Sequence, residues 1–298
     1  MPRVSVITCT YNRAHLIGDT IRSVISQTFQ DFEYIIIDDG STDNTEEVIR
    51  SFNQARIKYF KHERTGGHLS RLRNFAHQHC TGEYLAYIDS DDLWNERKLE
   101  LQINEFNKNP NLGFLFTDIE IFNQQGTLRS TIYTKNGIYI GSVFPAMLRN
   151  ELIICHTTLI VKKSCFEKTG PMDEQLHSGD HDLVFMLSRY FDACVIYNPL
   201  VRVRKHDQNS TSNHSLSLRL LREHHQTLNK LFARMLISKQ EYRAAMATTS
   251  YSFGVQILPA LDYDTAIRYF LMCLSFAPWN AKAWFRLFIT LSKKIISH

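Results

Sequence analysis

No apolar run in this chain is long enough to span a bilayer, no two cysteines stand as Cys-x-x-Cys, and no low-complexity tract or nucleic-acid motif interrupts it. Each absence excludes something. A spanning helix needs about 20 consecutive, largely apolar residues. The opening MPRVSVITCTYNR turns polar after about six strand-like residues, so neither a secretory leader nor a membrane anchor is expected there. The six cysteines, at 9, 80, 155, 165, 194 and 273, are scattered and mostly lie inside apolar runs. That spacing reads as small core side chains rather than zinc ligands or a disulfide framework, and it fits a reducing, cytoplasmic compartment.

What is present is enough hydrophobic residue, 44% of 298, for one large α/β domain with an appendage or for two domains. The net charge of +4 conceals an asymmetry: residues 1–198 carry 20 Lys and Arg against 25 Asp and Glu, whereas residues 199–298 carry 14 against 5. The basic tail seeks an anionic partner such as a substrate phosphate or an acidic membrane surface. Without an accompanying motif, nucleic acid is not expected as a partner.

Apolar periodicity predicts strands over 4–8, 32–37, 57–61 and 84–88, alternating with helices that begin near Asn12, near Thr42 or Asp43, and after Gly66-Gly67. This rhythm implies a doubly wound sheet, which binds ligands outside the carboxyl ends of its strands. Polar clusters lie at three such ends: Thr8 to Arg13, Asp38 to Asp43, and Asp89 to Asp92. From Gly113 to Asn198 the pattern mixes strands (114–117, 157–161, 194–197) with short helices, and beyond Ser215 it is helical. The Asn-, Ser- and Thr-rich stretch from His206 to His214 marks the expected boundary.

The densest chemistry is YLAYIDSDDLW, residues 84–94. Asp89, Asp91 and Asp92 at the end of a buried strand repel one another unless a cation sits among them. Carboxylates with no cysteine nearby favour Mg²⁺ or Mn²⁺, which fill their remaining positions with water and substrate phosphates.

In order along the chain, VSVITCTYNR, IIIDDGSTDNT, Arg73-Asn74 in LSRLRNFA, GEYLAYIDSDD, Gly170 and Asp173 in KTGPMDEQL, Asp180 and Asp182 in GDHDL, and Arg204 and His206 in VRVRKHDQNSTS resemble the family 2 glycosyltransferases. The likeness covers residues 2–212 and implies a GT-A fold: a Rossmann-like, doubly wound mixed sheet flanked by helices, here with a C-terminal helical appendage. It implies a catalytic domain over 1–212, with a nucleotide-sugar half (1–112) and an acceptor half (113–212), followed by a helical region over 213–298. The implied activity is inverting transfer from a nucleoside-diphosphate sugar, expected to be a UDP-sugar, to a hydroxyl of a glycan or lipid-linked acceptor in polysaccharide or cell-envelope synthesis.

The same resemblance distributes roles. The backbone around Thr8, Thr10 and Tyr11 lines the nucleotide pocket, where the Tyr11 side chain stacks or bonds, and Asp39 accepts the imide N–H of uracil, a bond that a carboxylate makes better than a neutral acceptor. Arg73 is the nucleotide-side arginine, preceded here by Leu72 instead of the usual Ala. Of the Asp-x-Asp, Asp89 or Asp91 bonds the ribose, while Asp91 or Asp92 holds Mn²⁺ or Mg²⁺ on the diphosphate. Asp180 is the general base, although the usual preceding Glu is Gly179, and the competing reading makes Asp180 a helix cap. Asp182 reads as a first-turn helix acid. His206 bonds the diphosphate or completes the metal shell.

Two other enzyme classes fit less well. A haloacid-dehalogenase-like phosphatase also places Asp-x-Asp after an apolar strand, but Asp92-Leu93-Trp94 departs from its pattern. Sugar nucleotidyltransferases need a glycine-rich loop after the first strand, and TCTYNR is not one. A non-catalytic nucleotide-sugar binding module stays open. The tail phrase YDTAIRYFLMCLSFAPWNAKAWFRLF resembles a tetratricopeptide-type hairpin, which packs on the catalytic domain or on a twin subunit in a homodimer. Aromatic and basic residues interleaved from Trp284 to Lys294 also suit a helix lying on anionic lipid, at the inner face of a membrane.

Overall fold

In the computed structural model, which describes residues 1–207, 209 and 214–296, the run VSVITCT forms strand β1 (Val4–Thr10) and FEYIIID forms β2 (Phe32–Asp38). Side chains on both faces of these strands are buried, as the inner strands of a parallel sheet require when helices cover both sides. Around them the chain lays down α1 (Ile17–Ile25), α2 (Thr45–Ser51), β3 (Ile57–Lys61), α3 (Leu69–His79) and β4 (Tyr84–Tyr87). There follow β5 (Leu93–Trp94), α4 (Lys98–Lys108), β6 (Phe114–Asn123), β7 (Gly126–Arg129), β8 (Ile138–Gly141) and α5 (Phe144–Leu148). Next come β9 (Ile160–Lys162), α6 (Phe166–Thr169), α7 (Asp180–Tyr190) and β10 (Ala193–Arg204). The main path of the sheet runs β3-β2-β1-β4-β9-β6-β10-β5. Strands β1 to β4 are mutually parallel and so are β6 and β10, while β9 is antiparallel to both β4 and β6 and joins the two blocks. The sheet is therefore mixed, as expected.

One compact unit comprises Met1–Ser142 with Ile154–Asn209, and a second comprises Val143–Ile153 with the chain beyond Asn209. The boundary expected at residue 212 lies outside the described residues. The second unit holds α8 (His214–Ala233), α9 (Lys239–Ile257), α10 (Tyr263–Phe276) and α11 (Ala281–Ile296), cored by Leu221, Phe253, Phe270 and Leu287. Ser238 and Glu241 close a capping box on α9, and Asp262 caps α10 through the Thr265 amide. All six cysteines are free thiols, four of them buried.

Three local expectations are corrected. Asn12 does not open α1, which begins at Ile17; instead it takes φ +49° and ties β1 to the β2 loop, accepting from the Thr42 amide at 2.9 Å and donating its own amide to Ser41 Oγ at 2.9 Å. Asn tolerates that left-handed backbone better than most residues. The strand expected from Thr157 begins only at Ile160, because His156–Thr158 closes a 3₁₀ turn in which Thr158 bonds the Cys155 carbonyl through both its amide and its hydroxyl. Helix α2 starts at Thr45, whose amide Asp43 accepts at 3.0 Å.

At the opposite end of the sheet from the polar loops, Glu33 is 4% exposed and accepts from Ser5 Oγ, Lys58 Nζ and the Thr81 amide, each at 2.6 Å. Burial opposes its charge, but these bonds, Lys58 foremost, win and draw its pKa down to about 2. A depressed carboxyl stabilises above its unfolded pKa and loses that contribution as the pH falls toward the folded one. Glu33→Gln is therefore expected to cost about 2–3 kcal/mol at neutral pH. In urea unfolding series, the gap from the parent chain should shrink as the pH falls from about 4.3 toward about 2. A gap independent of pH would count against the ionised pairing.

Candidate active site

The register aligns Thr10 with Asp38 and Asp38 with Lys61, and Ile7 with Tyr87, so the loops after β1, β2 and β4 emerge side by side. Asp39, 1% exposed, is fixed to β1 by its amide on the Thr10 carbonyl at 2.9 Å. Its carboxylate accepts the amides of Thr65 at 2.6 Å and Gly67 at 2.8 Å, and it pairs with the Arg64 guanidinium. Gly66 and Gly67, at φ +81° and +82°, turn those amides inward. The same guanidinium lies 3.6 Å over the Tyr11 ring. A planar cation thus stacks on Tyr11 while donating to Asp39. The Thr8 side chain is buried in the sheet on Tyr34 Oη at 2.9 Å and the Ile88 carbonyl at 3.0 Å, so only its backbone is left to line a pocket.

The acids after β4 separate by environment. Asp91 Oδ2 lies 2.9 Å from His206 Nε2 and accepts from it when that nitrogen carries the proton, and Asp91 lies 4.0 Å from Arg13 Nε. Asp92 is buried and accepts the Arg204 amide at 3.0 Å, while its own carbonyl receives the Thr20 hydroxyl. Arg204 in turn donates to the Asp91 carbonyl at 3.0 Å and reaches Asp19 at 3.2 Å. The end of β10 is thereby stitched to the acidic loop, which is how His206 meets Asp91 across 115 residues. Burial and the charges of Asp91 and Asp89 push the Asp92 carboxyl well up. Partial enclosure, then Asp91 and Asp180, push Asp89 up too, against the pull of Arg73, although half of its side chain meets solvent and tempers the effect of burial.

A third group lies beside Asp89. Arg73, 3% exposed, donates to the Ser178 carbonyl at 3.3 Å, pairs with Asp180 Oδ1 and stands 3.8 Å from Asp89. The arginine expected on the nucleotide thus bridges two carboxylates. Burial alone would raise the Asp180 pKa, but the Arg73 charge outweighs it and the net direction is down. Asp180 is the first residue of α7 and its side chain makes no cap; the N-cap is Gly179 at φ +68°. A Cβ on Gly179 would stand 3.2 Å from Met172 Cε and from Ser70 Cβ, in a backbone conformation that side chains avoid, so the glutamate usual in the resemblance does not fit there. Asp182 is a buried first-turn acid of the same helix.

Two residues of this site escape a reading of the sequence. His156 brings Nδ1 to 3.3 Å from Asp180 Oδ1 and packs its ring against Tyr87, tilted by 51° with centroids 4.3 Å apart, yet neither ring nitrogen completes a hydrogen bond. Burial and Arg73 lower its pKa to about 3, so it is neutral. Arg64 is the other, and a lone arginine in a polar loop carries no signal. Among the described residues no three His, Cys, Asp or Glu side chains converge as a self-sufficient metal cage. A concavity of about 860 Å³ lined by Asn74, His77, Leu85, Lys163, Phe166 and others opens elsewhere in this unit and includes none of these acids.

The chain matches the description of glycosyl transferase family 2 over residues 5–170, and it belongs to that family. It is 32% identical over 218 residues to an uncharacterized glycosyltransferase of Rickettsia typhi, covering 71% of this chain and 66% of that protein. To the UDP-Glc:alpha-D-GlcNAc-diphosphoundecaprenol beta-1,3-glucosyltransferase WfgD of Escherichia coli it is 39% identical over 157 residues, covering 53% of this chain and 59% of WfgD. The matched stretches thus span less than two thirds of either relative. The crystal structure of S. aureus TarS 1-349 superposes with a TM-score of 0.60 at 16% identity, covering 99% of this chain and 92% of that one, and the architecture is the GT-A type. TarS has also been crystallised with UDP and with UDP-GlcNAc.

Proposed function

We propose that this glycosyltransferase moves a sugar from a UDP-sugar to a hydroxyl of a glycan or lipid-linked acceptor with inversion at the anomeric carbon. The observation that carries this reading is the convergence of three separate carboxylate groups, Asp39, Asp89 to Asp92, and Asp180, at the carboxyl ends of neighbouring parallel strands and on the adjacent α7. Asp39 with Tyr11 takes the base, Asp89 the ribose, and Asp91 with His206 the diphosphate side. Asp180 takes the proton of the acceptor hydroxyl on Oδ2 while Arg73 holds Oδ1, and the acceptor oxygen bonds the anomeric carbon as the bond to UDP breaks. The named donor and lipid-diphosphate acceptor of WfgD, and the nucleotide complexes of TarS, support the donor and acceptor classes. A lipid-linked acceptor also places the protein at a membrane face, bound peripherally.

The residues fit Mn²⁺ or Mg²⁺ by their donor chemistry: Asp89, Asp91 and Asp92 crowd the end of β4 as hard oxygen donors, and Arg73 stands beside Asp89 alone. Asp91, with His206 beside it, is the direct ligand; the Asp92 carboxylate is committed to the Arg204 amide. When bound, the cation neutralises charge on the departing diphosphate.

Uracil must displace Arg64, which holds both Asp39 and the Tyr11 face. Asp39→Ala should weaken UDP binding by about 1.5–3 kcal/mol, the value of a hydrogen bond to a charged group. Because Asp39 also holds the Thr65 and Gly67 amides, that result is read beside Arg64→Ala, which spares those bonds and should tighten UDP binding. Calorimetry decides: equal affinity of the parent chain for UDP and GDP would overturn the assignment of the base site.

A further inference from the structure

Helix α11 has three faces. Ala283, Leu287 and Thr290 are buried within the second unit. Next to them Trp284, Phe288, Leu291 and Ile295 recur every three or four residues and remain 54%, 71%, 42% and 76% exposed, with Phe285 at 64% on the same side. This spacing stacks them on one stripe. Beyond that stripe lie Lys282, Arg286 and Lys293, of which the two lysines are exposed. From Thr265 to the end of the chain there is no Asp or Glu, against five Lys and Arg. Lys294 pairs with Asp264 in the same unit.

Nothing in sugar transfer asks a protein to leave this much aromatic and aliphatic surface in water. We propose that this face of α11 is a docking surface for an anionic lipid bilayer, on which the helix lies in the plane of the headgroups. The apolar stripe enters the acyl boundary while the basic residues, on the opposite, polar face, hold the helix to the anionic surface by longer-range attraction. No described helix is long and apolar enough to cross, so the contact is peripheral. A second copy is the poorer occupant: Lys282, Arg286, Lys293 and Lys294 make the helix strongly cationic with no acid on it, so two copies would bring like charge together, whereas anionic lipid offsets it. For its use this surface rests on the proposed lipid-linked acceptor, but lipid binding needs neither donor nor acceptor, so the two readings fail separately.

The test sediments the full chain with vesicles of phosphatidylcholine, with or without phosphatidylglycerol, at low salt. Binding is expected on the anionic vesicles, weakening as salt rises, with Trp fluorescence shifting to the blue. Phe285→Asp with Phe288→Asp, both exposed and outside the transfer site, should reduce binding at least about tenfold by removing the inserted stripe. Lys282→Glu with Lys293→Glu should abolish the preference for phosphatidylglycerol. UDP affinity, unchanged in both variants, confirms that they fold. An intact chain that ignores anionic vesicles, a Phe285/Phe288 variant that binds like the parent, or a concentration-dependent dimer lost in that variant without any lipid binding would each overturn the proposal.

Discussion

Asp91→Ala is expected to reduce sugar transfer and donor hydrolysis by at least about 10²–10³, the loss typical when one stabiliser of charge developing in the transition state is removed. The fold should survive, because Asp91 is bonded at the rim by His206 and lies near Arg13, whereas the loop is held by backbone and Asp92 bonds. Asp92→Ala should also abolish activity, by a different route. It strips the acceptor from the Arg204 amide and frees the end of β10 that carries His206, so melting temperature should fall along with turnover. Excess chelator should mimic Asp91→Ala without affecting Asp92-dependent stability. Hydrolysis of UDP-sugars with Mn²⁺, with chelator and in each variant measures all three. Full turnover in chelator would remove the cation from the mechanism.

The sheet and the acids were legible because two-sided apolar runs ending in Asp leave little choice: such strands must be buried in a parallel layer, and their polar ends must share one edge. The pairing of His206 with Asp91 was legible only through resemblance, since the fold closes that gap by stitching β10 to the acidic loop with Arg204. What stayed hidden was set by loop conformation. His156 sits in a tight turn that overrides the β-branched Thr157-Thr158. Arg64 lands on Tyr11 because two left-handed glycines turn its loop inward, and no periodicity reports that. Gly179 read as a departure from the family pattern, and the crowding about its missing Cβ supplies the reason.

Asp180→Asn should lower kcat by roughly 10²–10⁴ with little change in UDP-sugar affinity, the signature of a group that acts on the proton in the chemical step. The amide keeps the size of the side chain but loses the charge that faces Arg73, a buried cation that then depends on Asp89 at 3.8 Å and on the Ser178 carbonyl. Some loss of stability is therefore expected, and turnover must be compared well below the melting temperature. The pH profile separates a missing base from a disturbed site. The Asp180 pKa is drawn down, mainly by Arg73 against the effect of burial, so the carboxylate stays ionised at neutral pH. In the parent chain kcat should hold on acidification and fall only below the ordinary carboxylate range; in Asp180→Asn that acid limb should be absent while residual turnover is flat. A non-catalytic nucleotide-sugar binding module would show no turnover in either chain, and a product of retained anomeric configuration, read by NMR, would rule out Asp180 as the base of an inverting transfer.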